Sequence, residues 1–360
     1  MSQTPLMVDS RPQLALDGRR AERLEADLIR LETHADASGL ARLEAVFLNW
    51  DSKEPGEAVD FVHFDRQAID FGRQLRVSFA VEQQPRVVFE GLVTGMGADY
   101  PELRPPEFTV LAEDRLLALQ LRQRTRLSEE SSDAAIVNRI AGDAGFSAQL
   151  EGGEGRRHRQ LLQVNQSELE ALRQRLPDHL LRFSNGQLKA STAASEAEPP
   201  LQLTRQNELL RFTVLADLAQ QRGEVRVHGW DVAAKEAIHA TAAAAVVRAE
   251  ASRGRIGPEV VTEVFSGAAE DLHLEAPVTL DEARQRAEAR LRQRSRRFVR
   301  GRGVTSGTPG LRVGSRLDLV DLGPWFRGIY LVTAVSHRFD QASGYRTHFE
   351  AQRAQLEEAP

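Results

Sequence analysis

The chain has no cysteine. Disulfides, thiolate metal sites, iron–sulfur clusters and cysteine nucleophiles are therefore excluded, and any metal binding or proton transfer must come from histidines and carboxylates. The histidines are His34, His63, His158, His179, His228, His239, His273, His337 and His348. Zinc chemistry requires ligands at set spacings, such as two histidines one helical turn apart, and neither that pair nor a His-x-Glu pattern with metal spacing occurs. His337 and His348 could face each other across a C-terminal hairpin, but His348 shares the parity of Arg346 and Glu350, the polar face, so these histidines are expected to be solvated. There is no Gly-x-Ser-x-Gly elbow and no Walker A sequence. "GRGVTSG", residues 301–307, loosely resembles a phosphate cradle. Its spacing differs, no helical pattern follows to supply amide donors, and it reads as a loop. Acidic residues are abundant, but a glycosidase pair is defined by a separation that a sequence does not display. No residue is assigned as catalytic, cofactor-binding or metal-ligating, and no cofactor is expected.

The most unusual charged stretch is "RQRAEARLRQRSRRFVRGR", from Arg284 to Arg302. One reading is a helix that binds a polyanion. The other is a solvated helix whose cations offset the C-terminal dipole, or a basic surface that docks an acidic partner. The stretch lacks interleaved aromatic residues and the whole chain carries a formal charge of −5. The second reading is therefore preferred, and nucleic acid is not expected as the primary partner.

Chemistry of this kind needs elements to place it. A chain of 360 residues exceeds what one core usually organises, which predicts two or three domains. No apolar run reaches the length of a membrane span. The opening "MSQTPLMVDS" lacks a basic region followed by an apolar one, so no signal peptide is expected. "GRQLRVSFAVE" alternates with Leu75, Val77 and Phe79 on one face, as a strand does. "VVFEGLVTGMGADY" and "EFTVLAED" read as two further strands joined by a proline-rich turn. "AERLEADLIRLETHADASG" fits a strand or a helix equally. "SSDAAIVNRIAGDAGF" predicts a helix capped by Ser131 or Ser132, with Ile136, Val137, Ile140, Ala141 and Ala144 as its stripe and Gly145 past its end. "NQSELEALRQRL" predicts a second helix, stopped by Pro177. Asn185-Gly186 marks a type I′ hairpin turn. "STAASEAEPP" reads as a linker. "LLRFTVLADL" and "GEVRVHGWD" return to strand texture. Thr279 and Glu282 form a capping box that opens a third helix running to about Arg297. β texture resumes from Phe298 to Arg353.

The two β-rich ends resemble each other. Val93-Thr94 matches Val332-Thr333, Tyr100 falls opposite Phe339, and Ala112 falls opposite Ala351, all at one constant offset. Phe108, Val110 and Ala112 map onto Thr347, Phe349 and Ala351 with the same parity, where a slip of one residue would invert the faces. Upstream, Gly72-x-x-Leu75-x-Val77 echoes Gly314-x-x-Leu317-x-Leu319. Phe89-x-Gly91 matches Phe326-x-Gly328 if two extra residues follow the second copy. The pattern predicts a duplicated unit: two related small β-barrels, an α+β module after the first, and a helix-bearing insertion within the second.

The order of blocks is similar to the phage late control gene D family, the hubs of contractile tails and injection particles, and to the N-terminal hub part of type VI secretion VgrG spike proteins. The blocks are "FEGLVTGMGADYPELRPPEFTVLAEDR", "SDAAIVNRIAGDAGF", "LLQVNQSELEALRQRL", "VRVHGWD" and the long C-terminal block from "RFVRGRGVTSG" to "THFEAQR". The resemblance covers roughly Val87 to Arg353 and departs where Pro177-Asp178 interrupts the helical module. It implies a mainly β fold with first barrel 1–118, α+β domain 119–190, linker 191–203, second barrel 204–232 and 298–355, and insertion 233–297. It also implies a non-enzymatic homotrimer that adapts a threefold spike to the sixfold inner tube. The expected partners are an inner tube or tube-initiator protein, other baseplate proteins and a separate spike protein with an oligonucleotide-fold domain, since no such domain or β-helix follows Arg353. Assembly would take place in the bacterial cytoplasm and residence in a phage tail or injection-particle baseplate. The rival readings are a tail-associated cell-wall hydrolase and a nucleic-acid-binding module.

Overall fold

The computed structural model describes residues 10–51, 61–64, 68–192, 199–232, 234–251, 253–266, 268–274 and 279–357. The opening residues 1–9 and most of "STAASEAEPP", residues 193–198, lie outside them. The chain starts with β1 (Gln13–Leu16), β2 (Arg19–Arg20), α1 (Glu22–Asp27), β3 (Leu28–Asp36), β4 (Arg42–Leu48), β5 (Gln74–Val81), β6 (Gln84–Asp99) and β7 (Glu107–Glu113). The segment with ambiguous periodicity is thus both things in turn, a short helix and then a strand. Alternation places Leu43, Ala45 and Phe47 of β4, Leu75, Val77 and Phe79 of β5, and Phe108, Val110 and Ala112 of β7 in one core with Leu24 of α1. One sheet face that forms a single cluster with itself must curl, as a barrel wall does.

Next come α2 (Leu117–Leu121), β8 (Gln123–Ser132), α3 (Asp133–Asp143), β9 (Ser147–Leu150), β10 (Arg157–Ser167), α4 (Glu168–Arg175), β11 (His179–Ser184) and β12 (Gln187–Thr192). Local signals govern this module. The Ser132 hydroxyl accepts from the Ala135 amide at 3.2 Å, and Ser167 and Glu170 cap α4 reciprocally. Asn185 (φ 52°) and Gly186 (φ 75°) turn β11 into β12, the paired positive φ values of a type I′ turn. Ile136, Val137 and Ile140 of α3 meet Leu169 and Leu172 of α4 in a second core.

β13 (Leu201–Thr204), most of which falls within the expected linker bounds 191–203, is a strand that pairs parallel with β20 below. β14 (Leu209–Ala216), β15 (Glu224–Asp231), β16 (Glu236–Ala243), α5 (Ala244–Arg248), β17 (Arg255–Ile256), α6 (Gly257–Phe265), β18 (Ala269–His273) and α7 (Leu280–Arg296) follow. Ala283, Ala287 and Leu291 of α7 pack on Val225 and Val227 of β15 and Ile238 and Ala240 of β16 in a further core. The chain closes with β19 (Val299–Thr305), β20 (Arg316–Val320), α8 (Gly323–Phe326), β21 (Gly328–Asp340), β22 (Gly344–Arg353) and β23 (Gln355–Leu356). "GRGVTSG" is therefore mostly strand β19 and not a loop. A Cβ on Gly301 or Gly303 would stand 2.2 Å from the ring tip of Phe212 or Phe349, so these glycines clear room for two rings of the fourth core.

The duplication is visible in the hydrogen bonds. Strands run β3-β4-β7-β6-β5-β1 in the first half and β14-β19-β22-β21-β20-β13 in the second. Val93 pairs with Ala112 and Val332 with Ala351, and each ladder then skips one residue, Thr94 or Thr333. A second bulge recurs between Leu28 and Arg30 opposite β4 and between Leu209 and Arg211 opposite β19. Gly72 (φ 77°) donates to the Val93 carbonyl and Gly314 (φ 90°) to that of Val332, so the repeated glycine supplies the same left-handed turn in both halves. Shared bulges at shared registers are inherited features and not generic hairpin likeness.

One element of the repeat is corrected. Gly91 faces Leu75 and Phe89 faces Val77, whereas Tyr330 faces Leu317 and Gly328 faces Leu319. Gly328 is thus the counterpart of Phe89 and Tyr330 that of Gly91, while Phe326 belongs to α8. The Phe-x-Gly match was a coincidence of letters. In space each half has one aromatic ring and one glycine here, in exchanged positions, so the volume is kept.

Neither half is closed by its own ladders among the described residues. The halves are instead joined edge to edge by antiparallel pairing of β21 with β3, from Ala334↔Asp36 to Asp340↔Arg30, giving one sheet of 13 strands. Phe339 and Tyr345 of the second half sit in the first half's core, where the Tyr345 ring stacks on Phe79.

Gly91 tests this packing. A Cβ there would lie 2.3 Å from the Glu113 carbonyl oxygen, whereas one on helical Gly142 meets nothing within 4 Å. Gly91→Ala should lower the unfolding free energy by about 1–3 kcal/mol, and Gly142→Ala should leave it unchanged or raise it by about 0.5 kcal/mol, as read by urea titration.

Candidate assembly surfaces and the chemical clusters

Three of the nine histidines depart from the expectation of solvation. His63, His158 and His337 are buried. His63 Nε2 faces Asp27 at 3.0 Å. His158 lies between Asp133 (2.7 Å) and Glu282 (3.3 Å) and so ties β10 to α3 and to the first turn of α7. His337 stands 2.8 Å from the Tyr345 hydroxyl and 3.3 Å from that of Thr347, within the joint. It faces Thr347 and not His348, which lies opposite Ser336. Three other histidines meet on the β16-β15-β18 sheet, where β15 places His228 opposite His239 and His273. The Nδ1 atoms of His228 and His239 are 2.9 Å apart, and His228 Nε2 is 2.8 Å from Asp271. If His228 donates to the carboxylate, its Nδ1 accepts from His239. Among the described residues no group of three or more His, Asp or Glu has metal-holding geometry. The signal missed in the sequence was pairing register, which a spacing rule along one element does not register.

Seven of the nine arginines from 284 to 302 pair with carboxylates within the chain, and Arg286 and Arg297 are exposed. Arg290 and Arg294 both bind Glu270. Arg292 and Arg296 both bind Asp178 and Glu250. Arg300 pairs with Asp217, Arg302 with Glu350, and Arg284 with Asp281. Burial alone would push Glu270 up, but hydrogen bonds from Arg294 and Arg290 outweigh it and hold the carboxyl at about 2. Burial likewise opposes the charge on Arg296, and its hydrogen bond to Glu250 and the nearby Asp178 more than offset this, leaving it above the usual arginine value. Helix α7 is therefore a clamp: Asp178 follows α4, Glu250 follows α5, and Glu270 is on β18. The expectation of a solvated basic helix holds for the exposed Arg284, Arg286 and Arg297 and not for Arg290, Arg292, Arg294 and Arg296, which fasten the chain internally.

A cleft of about 680 Å³ lies beside this clamp, lined by residues that include Pro177, Asp178, Arg296, Arg302 and Glu350. Its two carboxylates are the partners of Arg292 and Arg296 and of Arg302. Neither is an isolated carboxylic acid of the kind a glycosidase uses as proton donor.

Several large apolar side chains are exposed. Phe61, Phe64 and Tyr100 form an exposed aromatic group, with rings 4.9 Å apart (Phe61–Phe64) and 6.1 Å apart (Phe61–Tyr100). Leu210 and Leu215 are exposed on β14, the last strand at one end of the sheet.

The joint makes a pH test. Burial pulls His337 from the usual histidine range down to about 4, against a hydrogen bond with the Leu311 backbone. The unfolded chain takes up this proton near pH 6.5 and the folded chain only near 4, so the stabilisation is complete above pH 6.5 and is lost as pH falls through 4. Between pH 7 and 4.5 the parent chain should lose about 2 kcal/mol more stability than His337→Gln, measured by urea titration at both pH values.

The 43 kDa tail protein of prophage MuSo2 from Shewanella oneidensis has this fold, with a TM-score of 0.68 at 12% identity over 96% of this chain and 98% of that one. A tail protein from Neisseria meningitidis MC58 gives a TM-score of 0.71 at 10% identity, over 95% of this chain and 96% of its own. The E. coli c3393 protein, a component of the type VI secretion system, gives 0.57 at 13% identity, over 99% of this chain and 79% of its own. At these identities the likeness is one of fold. No curated protein matches the sequence. The family model described as the Alg8 N-terminal domain matches residues 51–341. That span is most of the chain, and the protein, whose fold is that of phage tail proteins, belongs to the Alg8 N-terminal domain family.

Proposed function

We propose that the chain is the structural, non-enzymatic hub of a baseplate in a contractile injection machine, a phage tail or an extracellular injection particle. The observation that carries this is the duplication, with two bulges and a left-handed glycine repeated in register, inside a fold shared with phage tail proteins. Three copies with two similar units each present six related units. That number lets a threefold spike on one face meet a sixfold tube on the other, and closed rings of this kind arise from repeated heterologous contacts. The similarity of block order to the late control gene D and VgrG families supports the same arrangement. The proposed units are barrels at 1–118 and at 204–232 with 298–355, the α+β domain at 119–190 and the insertion at 233–297, with the difference that β15 (Glu224–Asp231) pairs with β16 and β18 and packs in the insertion's core. Inner-tube and other baseplate proteins are the proposed partners, and assembly in the bacterial cytoplasm is the proposed setting. The arginine pairing weighs against the nucleic-acid reading, and the paired carboxylates of the cleft weigh against the hydrolase reading.

The test is assembly in its absence. Particles produced without this protein should lack the inner tube and an attached spike, as seen by electron microscopy. Particles with a normal tip and tube would overturn the proposal.

A further inference from the structure

The β16-β15-β18 sheet has one face under α7, where Val225 and Val227 of β15 and Ile238 and Ala240 of β16 are buried. The alternate residues point the other way. On that outer face the ladders set His239 of β16, His228 of β15 and His273 of β18 side by side. His239 and His273 are exposed, and His228 is partly exposed. The rings of His228 and His239 meet at 75°, with their Nδ1 atoms 2.9 Å apart. The other nitrogen of His228, Nε2, lies 2.8 Å from Asp271 Oδ1. An ionised carboxylate only accepts, so Nε2 holds the proton and Nδ1 of His228 presents a lone pair.

We propose that His228 and His239 chelate a divalent transition-metal ion through their Nδ1 atoms, with Asp271 orienting His228. The separation fits the chemistry. At metal–nitrogen distances of about 2.0–2.1 Å, nitrogens 2.9 Å apart subtend about 90° at the ion. That is the angle between neighbouring ligands in the tetragonal and octahedral geometries of Cu2+ and Ni2+. A tetrahedral Zn2+ would ask the pair to open to about 3.3–3.4 Å. A histidine that binds a metal usually donates its second ring N–H to a carboxylate, which fixes its tautomer and aim, and the contact between His228 and Asp271 has that form. His273 does not join the chelate. Its ring stacks on His228 with planes 18° apart, so its lone pair runs parallel to that of His228 and does not converge with it. Among the described residues no third His, Asp or Glu completes a metal-holding group, and the remaining positions, on an open sheet face, fall to water. Without the ion, the 2.9 Å contact is a hydrogen bond from His239 to His228. The ion displaces that proton, and the exposed ring of His239 can carry its proton on Nε2 instead. The inference stands independently of the hub reading.

The absence of cysteine removes competing thiolates from the test. The purified chain, without an affinity tag, is titrated with NiCl2 in a calorimeter. A saturable step of one ion per chain is expected. Mg2+, which prefers oxygen ligands, should not compete for it. His228→Gln and His239→Gln should each remove the step. Asp271→Asn should weaken it about 10–100-fold. His273→Gln should keep it, which separates a two-nitrogen chelate from a general patch of three histidines. These side chains lie on the exposed face, so the variants should melt like the parent chain in the absence of metal. Saturating Ni2+ should raise the thermal unfolding midpoint of the parent chain and not that of His239→Gln, because the two nitrogens converge only when β15 and β16 are paired. No binding of Ni2+ by the parent chain would overturn the proposal. So would a step that persists in the His228→Gln/His239→Gln double variant, or one that His273→Gln abolishes.

Discussion

An open sheet edge is a row of amide donors and carbonyl acceptors that must find partners or water. The architecture follows from how this chain meets that demand. Each half curls around its own core without completing its own ring of hydrogen bonds among the described residues. The deficit is met by zipping β21 of the second half to β3 of the first. The bulges at Thr94 and Thr333 belong to the same solution, since a bulge bends a strand and raises its local twist. In the second half the stretch beyond the bulge is the part that leaves β20 and meets β3. In the first half the same stretch leaves β5 and meets no described strand.

Around this sheet the rest of the chain is held by charge as well as by apolar burial. Helix α7 packs its alanines and Leu291 on β15 and β16 and turns its arginines to carboxylates from three different parts of the chain. Half-buried pairs of this type contribute little net stability but are costly to break singly. Their effect here is positional: Arg292 and Arg296 bridge Asp178 and Glu250, so the α+β module and the insertion are both indexed to one helix. Much of the basic stretch, read in the sequence as a solvated or docking helix, is an internal fastening.

What was legible in the sequence was local or repeated. The capping box at Thr279, the Ser132 cap and the Asn185-Gly186 turn are complete within a few residues, and their physics does not depend on the rest of the chain. The duplication was legible because its constant offset preserves parity and bulge together. What depends on distant partners was not legible. Gly301 and Gly303 read as loop residues because nothing nearby announces the rings of Phe212 and Phe349. His337 read as solvated because its burial comes from the joint. β13 read as linker because its partner β20 is more than a hundred residues away. The letters Phe-x-Gly misled for the reverse reason, since the equivalent positions conserve volume and not identity.

The central claim is that this duplicated chain is the subunit of a closed assembly. The most direct measurement is the mass of the purified protein in solution by light scattering. The account predicts three times 40.0 kDa, about 120 kDa. A constant 40.0 kDa across concentrations up to those used for assembly would contradict it.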